Sequence, residues 1–418
     1  MSAKKGKIVI VTGVPLTGNP RVVKEANALH SAGYEVVVLG AGDECLQNAG
    51  NKNHAVTSRF LFQSVGSMHG GTSHYFLSLW QRVRSRLGRE LFRVAGIENR
   101  FQLGYFVPEL LRAAIEAAGD YYILHTEQSL WVGAELLRKG YRVGLDFEDW
   151  YSEDLLPEAR RLRPLRMLRR LEQLLLRRAS HSSCPSSSMS QSLGAEYGAP
   201  LPKVIYNAFL WSDRLALDGQ IKDRKLLNRP SIHWVSQTIG PGRGLEDLFG
   251  AIPYLTKDVE IHLRGTLVNG GREWLEAIIP NEWSSRIFVH ALVSETELLS
   301  RISEHDIGFA GEMKYCRSRD LTVTNKILHY LLGGLAVVAS DTAGQREVAT
   351  HCPDGVFLFP SGSPEKLAAC LNSLLEVPSK LLMAKSAALE SAKTFFCWEQ
   401  IAPRFIEDVG RATADSQV

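Results

Sequence analysis

Two short segments in the second half of this chain carry the residue types best suited to holding an anion. The first, Gly240-Pro241-Gly242-Arg243-Gly244, lies two residues beyond the strand-like segment Ile232–Gln237 and precedes a helical pattern. Glycines let the backbone come close to a ligand, and a helix N-terminus presents unpaired N–H groups to negative charge. Arg243 adds a forked set of donors that matches a phosphate. Gly242, Arg243 and Gly244 are therefore candidate contacts, the alternative being a solvated arginine in a turn. The second segment is Thr322–Gly334. Thr324 is placed to cap a helix starting near Asn325, and Lys326 and His329, three apart, share a helical face. Gly333 and Gly334 stop that helix. Thr322, Thr324, Asn325 and Lys326 form a candidate anion seat, whereas Ile327, Leu328, Leu331 and Leu332 read as core.

The first half offers Gly13-Val-Pro-Leu-Thr-Gly18-Asn19-Pro20. Its glycine spacing is that of a phosphate-cradling loop, but Asn19 and Pro20 stand where lysine and a hydroxyl residue are required, and Pro20 has no N–H. Nucleotide hydrolysis on this loop is not expected, and G-x-G-x-x-G is absent. A glycine loop over a ligand, with Gly18 at its tip, or a purely structural turn remains. His125 ends the run Tyr121–His125, and the acidic residues Glu127, Glu148 and Asp149 follow the runs Tyr121–His125 and Val143–Phe147.

The elements that must position these residues alternate between strand and helix. Lys7–Val11 is a β-branched run of the kind buried on both faces of a parallel sheet, Arg21–Ala32 has helical spacing, and Glu35–Leu39 is the next strand. The alternation continues to Val204–Asn207. After a polar stretch it restarts with strand Ile232–Gln237, helix Leu245–Leu255, strand Val259–Arg264, short strands Arg286–Val289 and Asp306–Ala310, helix Asn325–Leu332, strand Ala336–Ser340 and helix Pro364–Leu375. A length of 418 residues suits two such domains. The expectation is an α/β protein with two facing Rossmann-like doubly wound domains, 1–208 and 209–395, and a cleft between them. Residues 396–418 are expected to form a helix returning to the N-terminal domain. Ligands of such sheets sit at the C-terminal ends of the strands.

With those segments in order, the chain resembles the family 4 retaining glycosyltransferases of the B-type fold. The resemblance is carried by NPRVVKEANALHSAGYEVVVL, YYILHTE, VIYNAF, SQTIGPGRGLEDL and TNKILHYLLGGLAVVASDTAGQREV, and it runs nearly the whole length. It implies metal-independent transfer of a sugar, a hexose by expectation, from a nucleoside-diphosphate sugar with retained configuration. It also implies that the donor lies on the C-terminal domain and the acceptor on the N-terminal one. By position, Arg243 and Lys326 would face the diphosphate, Thr322, Thr324 and Asn325 would donate to it, and His125 would sit near the sugar or the acceptor hydroxyl. Glu127, Glu148 and Asp149 would border the acceptor. No cofactor and no metal are implied, and no Asp-x-Asp occurs to hold a divalent ion. The chain departs from the family where two glutamates eight positions apart are usual, since Leu321 and His329 stand there. Asp320 or Glu312 could supply the missing carboxylate, and His329 can make one hydrogen bond to a ribose. A sugar-nucleotide epimerase on the same fold and a non-catalytic nucleotide-sugar-binding homologue are the rival readings.

Two arginine-rich stretches stand out. Arg82, Arg86, Arg89 and Arg93 follow helical spacing near Leu87, Leu91 and Phe92, and a second run extends from Arg160 to Arg178. Both are amphipathic in pattern, which suits an anionic lipid surface. For the first we expect contact with the inner face of the plasma membrane, beside a glycan or lipid-linked acceptor of surface polysaccharide synthesis. For the second, a solvated face over a core stripe is an equal alternative. The arginines are not interleaved with aromatic residues and the net charge is only +3, so nucleic acid is not an expected partner. Six scattered cysteines without C-x-x-C, a start without a secretory pattern and the lack of an 18-residue apolar run point to a soluble, cytoplasmic, peripheral protein with reduced thiols.

Overall fold

A computed structural model describes residues 5–42, 59–68 and 72–414. The chain forms two compact units, one comprising residues up to Ile205 and those from Ala402 on, the other Tyr206–Ile401. In the first unit, strands β1 (Lys7–Thr12), β2 (Glu35–Gly40), β3 (Leu61–Ser64), β4 (Tyr121–His125), β5 (Val143–Asp146), β6 (His181–Cys184) and β7 (Lys203–Val204) make one sheet in the order β3-β2-β1-β4-β5-β6-β7. Every pairing is parallel. Parallel strands need crossover helices, and those cover both faces of the sheet. Ile8, Val9, Ile10 and Val11 are consequently all buried, which is why β1 reads as an unbroken apolar run.

The second unit repeats the plan with β8 (Ser231–Ile239), β9 (Glu260–Leu267), β10 (Ile287–His290), β11 (Ile307–Ala310), β12 (Ala336–Ser340) and β13 (Val356–Phe359), again all parallel, in the order β10-β9-β8-β11-β12-β13. Its core joins Trp234, Phe249, Phe309 and Phe359 to the leucines of helix Pro364–Leu375. In each sheet the direction of winding reverses once, between β1 and β4 and between β8 and β11. A crevice opens at such a switch point, beyond the carboxyl ends of the strands.

Two elements differ from the sequence expectation. The helix from Leu245 ends at Ala251 and continues only as a 3-10 turn, Ile252–Tyr254. Pro253 supplies no N–H, and its ring crowds the carbonyl one turn back. The strand expected at Val204–Asn207 is confined to Lys203–Val204. The last helix, Trp398–Ala414, brings Phe405 against His181, and Arg142 donates to the Thr413 carbonyl (3.1 Å). Cys45 lies outside the described residues; the other five cysteines form no disulfide among the described residues.

Four histidines stack inside the second unit. His305 lies 4.7 Å from His233 and 4.6 Å from His262, and His262 lies 5.2 Å from His290, ring centre to ring centre. Asp223, Glu260 and Arg264 face them. Burial holds all four imidazoles below their ordinary value.

Candidate functional site

The loop after β8 owes its course to glycine. Gly242 and Gly244 both have left-handed backbone (φ +74° and +80°), and a Cβ on Gly244 would collide with the Gly311 carbonyl just past β11. This close approach brings Arg243 and Glu312 into one neighbourhood at the switch point. Arg243 is exposed and donates to Ser236 Oγ (3.0 Å), while Glu246 accepts the Gly242 N–H (2.7 Å). Lys326 Nζ lies 3.0 Å from the Glu312 carboxylate and over the Trp234 ring (5.1 Å). Burial alone would raise Glu312, but Lys326, Arg319 and Arg243 outweigh it and hold the carboxyl below its ordinary value. Three cations around one carboxylate leave a net positive site, suited to an anion.

Helix Asn325–Gly333 starts beside Lys326 and ends at Gly334 in the left-handed region (φ +73°). Thr324 takes the extended backbone of a cap residue, yet its hydroxyl caps nothing. Thr324 Oγ1 is buried and has no hydrogen-bond partner among the described residues. The first N–H groups of the helix thus lack the side-chain cap that the sequence suggests, and a buried hydroxyl stands with them. Thr322 is otherwise engaged, its hydroxyl donating to Ser318 O (2.7 Å). Asn325 accepts from Asn207 (2.9 Å), and the His329 ring stacks on Phe209 at 3.4 Å and 14°. Asp320 anchors the following helix by accepting the Ala343 N–H (3.1 Å), with Lys314 at 3.5 Å. Leu321 is buried.

The N-terminal switch point holds a second cluster. Asn19 caps helix Pro20–Ser31, accepting from Val22 N (3.2 Å), and its amide donates to Glu148 (2.6 Å). Arg21 is buried between Asp146 (2.6 Å), Glu25 (3.2 Å) and the Ile205 carbonyl (2.7 Å). His125, fully buried at the end of β4, has Nε2 3.0 Å from Glu25 and Nδ1 3.0 Å from Glu148. Burial pulls its pKa down, but Glu25, Glu148 and Asp146 more than reverse this and raise it to about 10. The carboxyl groups of Glu25 and Glu148 on either side thus favour the protonated form of His125. The next residue, Thr126, is a β-branched residue at φ +69°, a strained conformation that lets its hydroxyl accept the Gly13 N–H (2.9 Å). Glu148 joins this cluster and keeps 23% of its side chain exposed. Glu127 is paired with Arg163 instead, and burial raises it to about 7. Asp149 acts on the neighbouring Tyr151 phenol. Gly18 closes the 3-10 turn Leu16–Gly18 with open space around it.

Arg21 and Glu25 were not singled out in the sequence, and Asn19 and Asp146 stood out only as a departure from a phosphate loop and as part of an acidic cluster. Asn-Pro before a helical run is a cap signal that could have placed Asn19, and Arg21 and Glu25 sit one residue before Val22 and Ala26 on the buried stripe.

Residues 229–377 match the family model described as glycosyl transferases group 1. The matched residues lie within the second unit. Solved structures similar over nearly the whole chain include Anabaena HepE in complex with UDP and glucose (18% identity, TM-score 0.65, 97% of this chain and 100% of that one). Sucrose-phosphate synthase from Thermosynechococcus elongatus is another (14%, 0.69, 98% and 100%). A third is the trehalose-6-phosphate synthase OtsA (12%, 0.67, 99% and 99%). At these identities the likeness establishes the fold, which is that of the B-type glycosyltransferases. No curated protein matches by sequence.

Proposed function

We propose that the protein transfers a hexose from a nucleoside-diphosphate sugar, with retained configuration, to a glycan or lipid-linked acceptor of surface polysaccharide synthesis on the cytoplasmic side. The observation that carries this reading is the net positive switch point of the group 1 region, where Arg243 and Lys326 converge on Glu312 beside an uncapped helix N-terminus and the unpartnered Thr324 hydroxyl. A diphosphate satisfies all of these donors at once. As the glycosidic bond breaks, charge builds on the terminal phosphate, and fixed cations and N–H groups are worth most against charge that is only developing. Protein cations fill the role that a divalent ion would otherwise play. In a retaining transfer the donor phosphate takes the acceptor proton, so no separate general base is needed. HepE was solved with UDP and glucose, which supports a uridine donor as the first to test. His329, stacked on Phe209, offers the ribose a single hydrogen bond in place of a carboxylate's two oxygens. On the acceptor side, His125 acts through Glu148, the exposed member of its cluster.

A thermal-shift panel of nucleoside diphosphates and their sugars comes first. A ligand at a hundredfold excess over its Kd stabilises by about 2.7 kcal/mol, so the right nucleotide stands apart from the rest. Release of the free nucleoside diphosphate is then followed with acceptor glycolipids. No stabilisation by any of them at millimolar concentration would overturn the donor site. Inversion at a sugar carbon with the nucleotide retained would identify an epimerase, and binding without turnover a non-catalytic homologue.

A further inference from the structure

Helix Thr72–Ala95 is mounted with its polar face inward. Ser78, Gln81, Ser85 and Gly88 recur every three or four residues and are buried, whereas Phe76, Trp80, Val83, Leu87, Leu91 and Val94, at the same spacing, are exposed. At 3.6 residues per turn those six side chains fall within an arc of about 80°. They form a continuous ridge, and Phe76 (76%) and Val94 (81%) at its ends are almost bare. The orientation is locked from the inner side. Gln81 Oε1 accepts from Phe106 N (3.1 Å) and Arg84 (2.7 Å), and the Gly88 carbonyl accepts from Asn99 Nδ2 (2.9 Å). A Cβ on Gly88 would press on Asn99 and Phe101. Turning the helix to bury the ridge would forfeit these bonds and bury four small or polar residues fewer.

The two flanks of the ridge differ. Arg84, on one side, is consumed by Glu109 (2.9 Å). On the other, Arg82, Arg86, Arg89 and Arg93 form a row, all exposed, with Glu90 as an acidic neighbour of Arg93 (2.7 Å). The other arginine-rich helix, Leu165–Arg178, is the ordinary case: Leu168, Leu171, Leu175 and Leu176 are buried and its arginines cover them.

The geometry points to helix Thr72–Ala95 as a peripheral docking face for an anionic lipid bilayer, the Phe76–Val94 ridge entering the acyl boundary and the Arg82–Arg93 row lying at the headgroups. Charge decides between this occupant and a second copy of the chain. Pairing two ridges would set two arginine rows together with little acid to offset them, whereas acidic lipid meets both features at once. The helix lies on the membrane and does not cross it, since no single helix among the described residues is long and apolar enough to span. The inference is independent of the donor chemistry.

The test is sedimentation of the full chain with phosphatidylcholine vesicles, with and without phosphatidylglycerol. Binding to the anionic vesicles, weakened by salt and absent from neutral ones, is expected. The double variant Leu87→Glu, Leu91→Glu should lose at least tenfold in partitioning. The triple variant Arg82→Gln, Arg86→Gln, Arg89→Gln should lose about a hundredfold, at ~1 kcal/mol per arginine. Both should keep the wild-type Tm and nucleotide affinity, because the altered side chains are exposed and distant in sequence from the donor site. Wild-type protein that stays in the supernatant, or variants that bind as well as wild type, would overturn the inference. So would a concentration-dependent dimer abolished by Leu87→Glu, Leu91→Glu, which would assign the ridge to a second copy.

Discussion

Each sheet gathers charge at its switch point, but the two clusters are built differently. In the N-terminal unit Arg21, Glu25, His125, Asp146 and Glu148 are paired as ions with one another: Arg21 donates to Asp146 and the Ile205 carbonyl, His125 Nδ1 meets Glu148, and His125 Nε2 and Arg21 Nε face Glu25 at ion-pair distance without a hydrogen bond. In the C-terminal unit Lys326 pairs with Glu312 and Lys314 with Asp320, while among the described residues Arg243 reaches a neutral hydroxyl and Thr324 Oγ1 has no partner. A closed network spends its charge on holding the chain, fixing the loop after β1 to the ends of β4 and β5. An open one is left with donors to offer. The first should therefore answer to stability measurements and the second to binding measurements.

The largest effect is expected from Arg21→Met. It leaves Asp146 and Glu25 buried without their cation, and breaking a buried ion pair from one side costs about 3–5 kcal/mol. Denaturant unfolding should show that loss, with the midpoint moving and its slope unchanged. A loss below about 1 kcal/mol would mean that the network is not closed as described.

Arg243→Ala should do the reverse. The side chain is exposed, so Tm should stay within a degree or two of wild type. Calorimetric affinity for the preferred nucleoside diphosphate should fall by ten- to a hundredfold, the equivalent of about 1.5–3 kcal/mol for hydrogen bonds to a charged group. Unchanged affinity would remove Arg243 from the site and with it the contrast between the units.

The pH dependence separates the units again. His125 is raised to about 10, so above the ordinary value of 6.5 the unfolded chain releases a proton that the folded chain keeps. Its contribution is full below 6.5 and is lost as pH rises toward 10, by at most about 1.4 kcal/mol per pH unit. The stacked histidines of the second unit are all lowered, so there the unfolded chain takes up protons first and stability is lost as pH falls below 6.5. Local amide exchange, corrected for the intrinsic rate, should show the first unit loosening toward pH 9 and the second toward pH 5. His125→Gln should flatten only the alkaline arm. A first unit that does not loosen toward pH 9, or that loosens there equally in His125→Gln, would contradict the assignment.

How far these features could be read from the sequence depends on whether they are local. Strand Ala336–Ser340 and helix Pro364–Leu375 appear as expected because continuous burial and helical periodicity leave their mark within one segment. The glycine loop around Arg243 and the helix that carries Lys326 were legible for the same reason. The Lys326–Glu312 pair was not, since it depends on how β11 and the next helix fold back on each other. Arg21 and Glu25 resemble any solvated i,i+4 pair until β4 and β5 close over them. Helix Thr72–Ala95 shows the limit most plainly: its pattern announces two faces and says nothing of which one points inward. Ser78, Gln81, Ser85 and Gly88 settle that only through partners at Asn99 and Phe106.

The smallest and most diagnostic change is Thr324→Val. Valine keeps the shape and removes the hydroxyl that lacks a partner. An unsatisfied buried polar atom is a liability of roughly 1–3 kcal/mol, so the variant without ligand should be as stable as wild type or more so. If that hydroxyl is kept for a phosphate oxygen, the same substitution should weaken nucleoside diphosphate binding about fivefold, the loss of one hydrogen bond near 1 kcal/mol. Stability and affinity would then move in opposite directions on a single side chain, as expected of a residue in an open cluster. A substitution that lowers Tm and leaves affinity alone would place Thr324 among the structural caps, and the two switch points would no longer differ in kind.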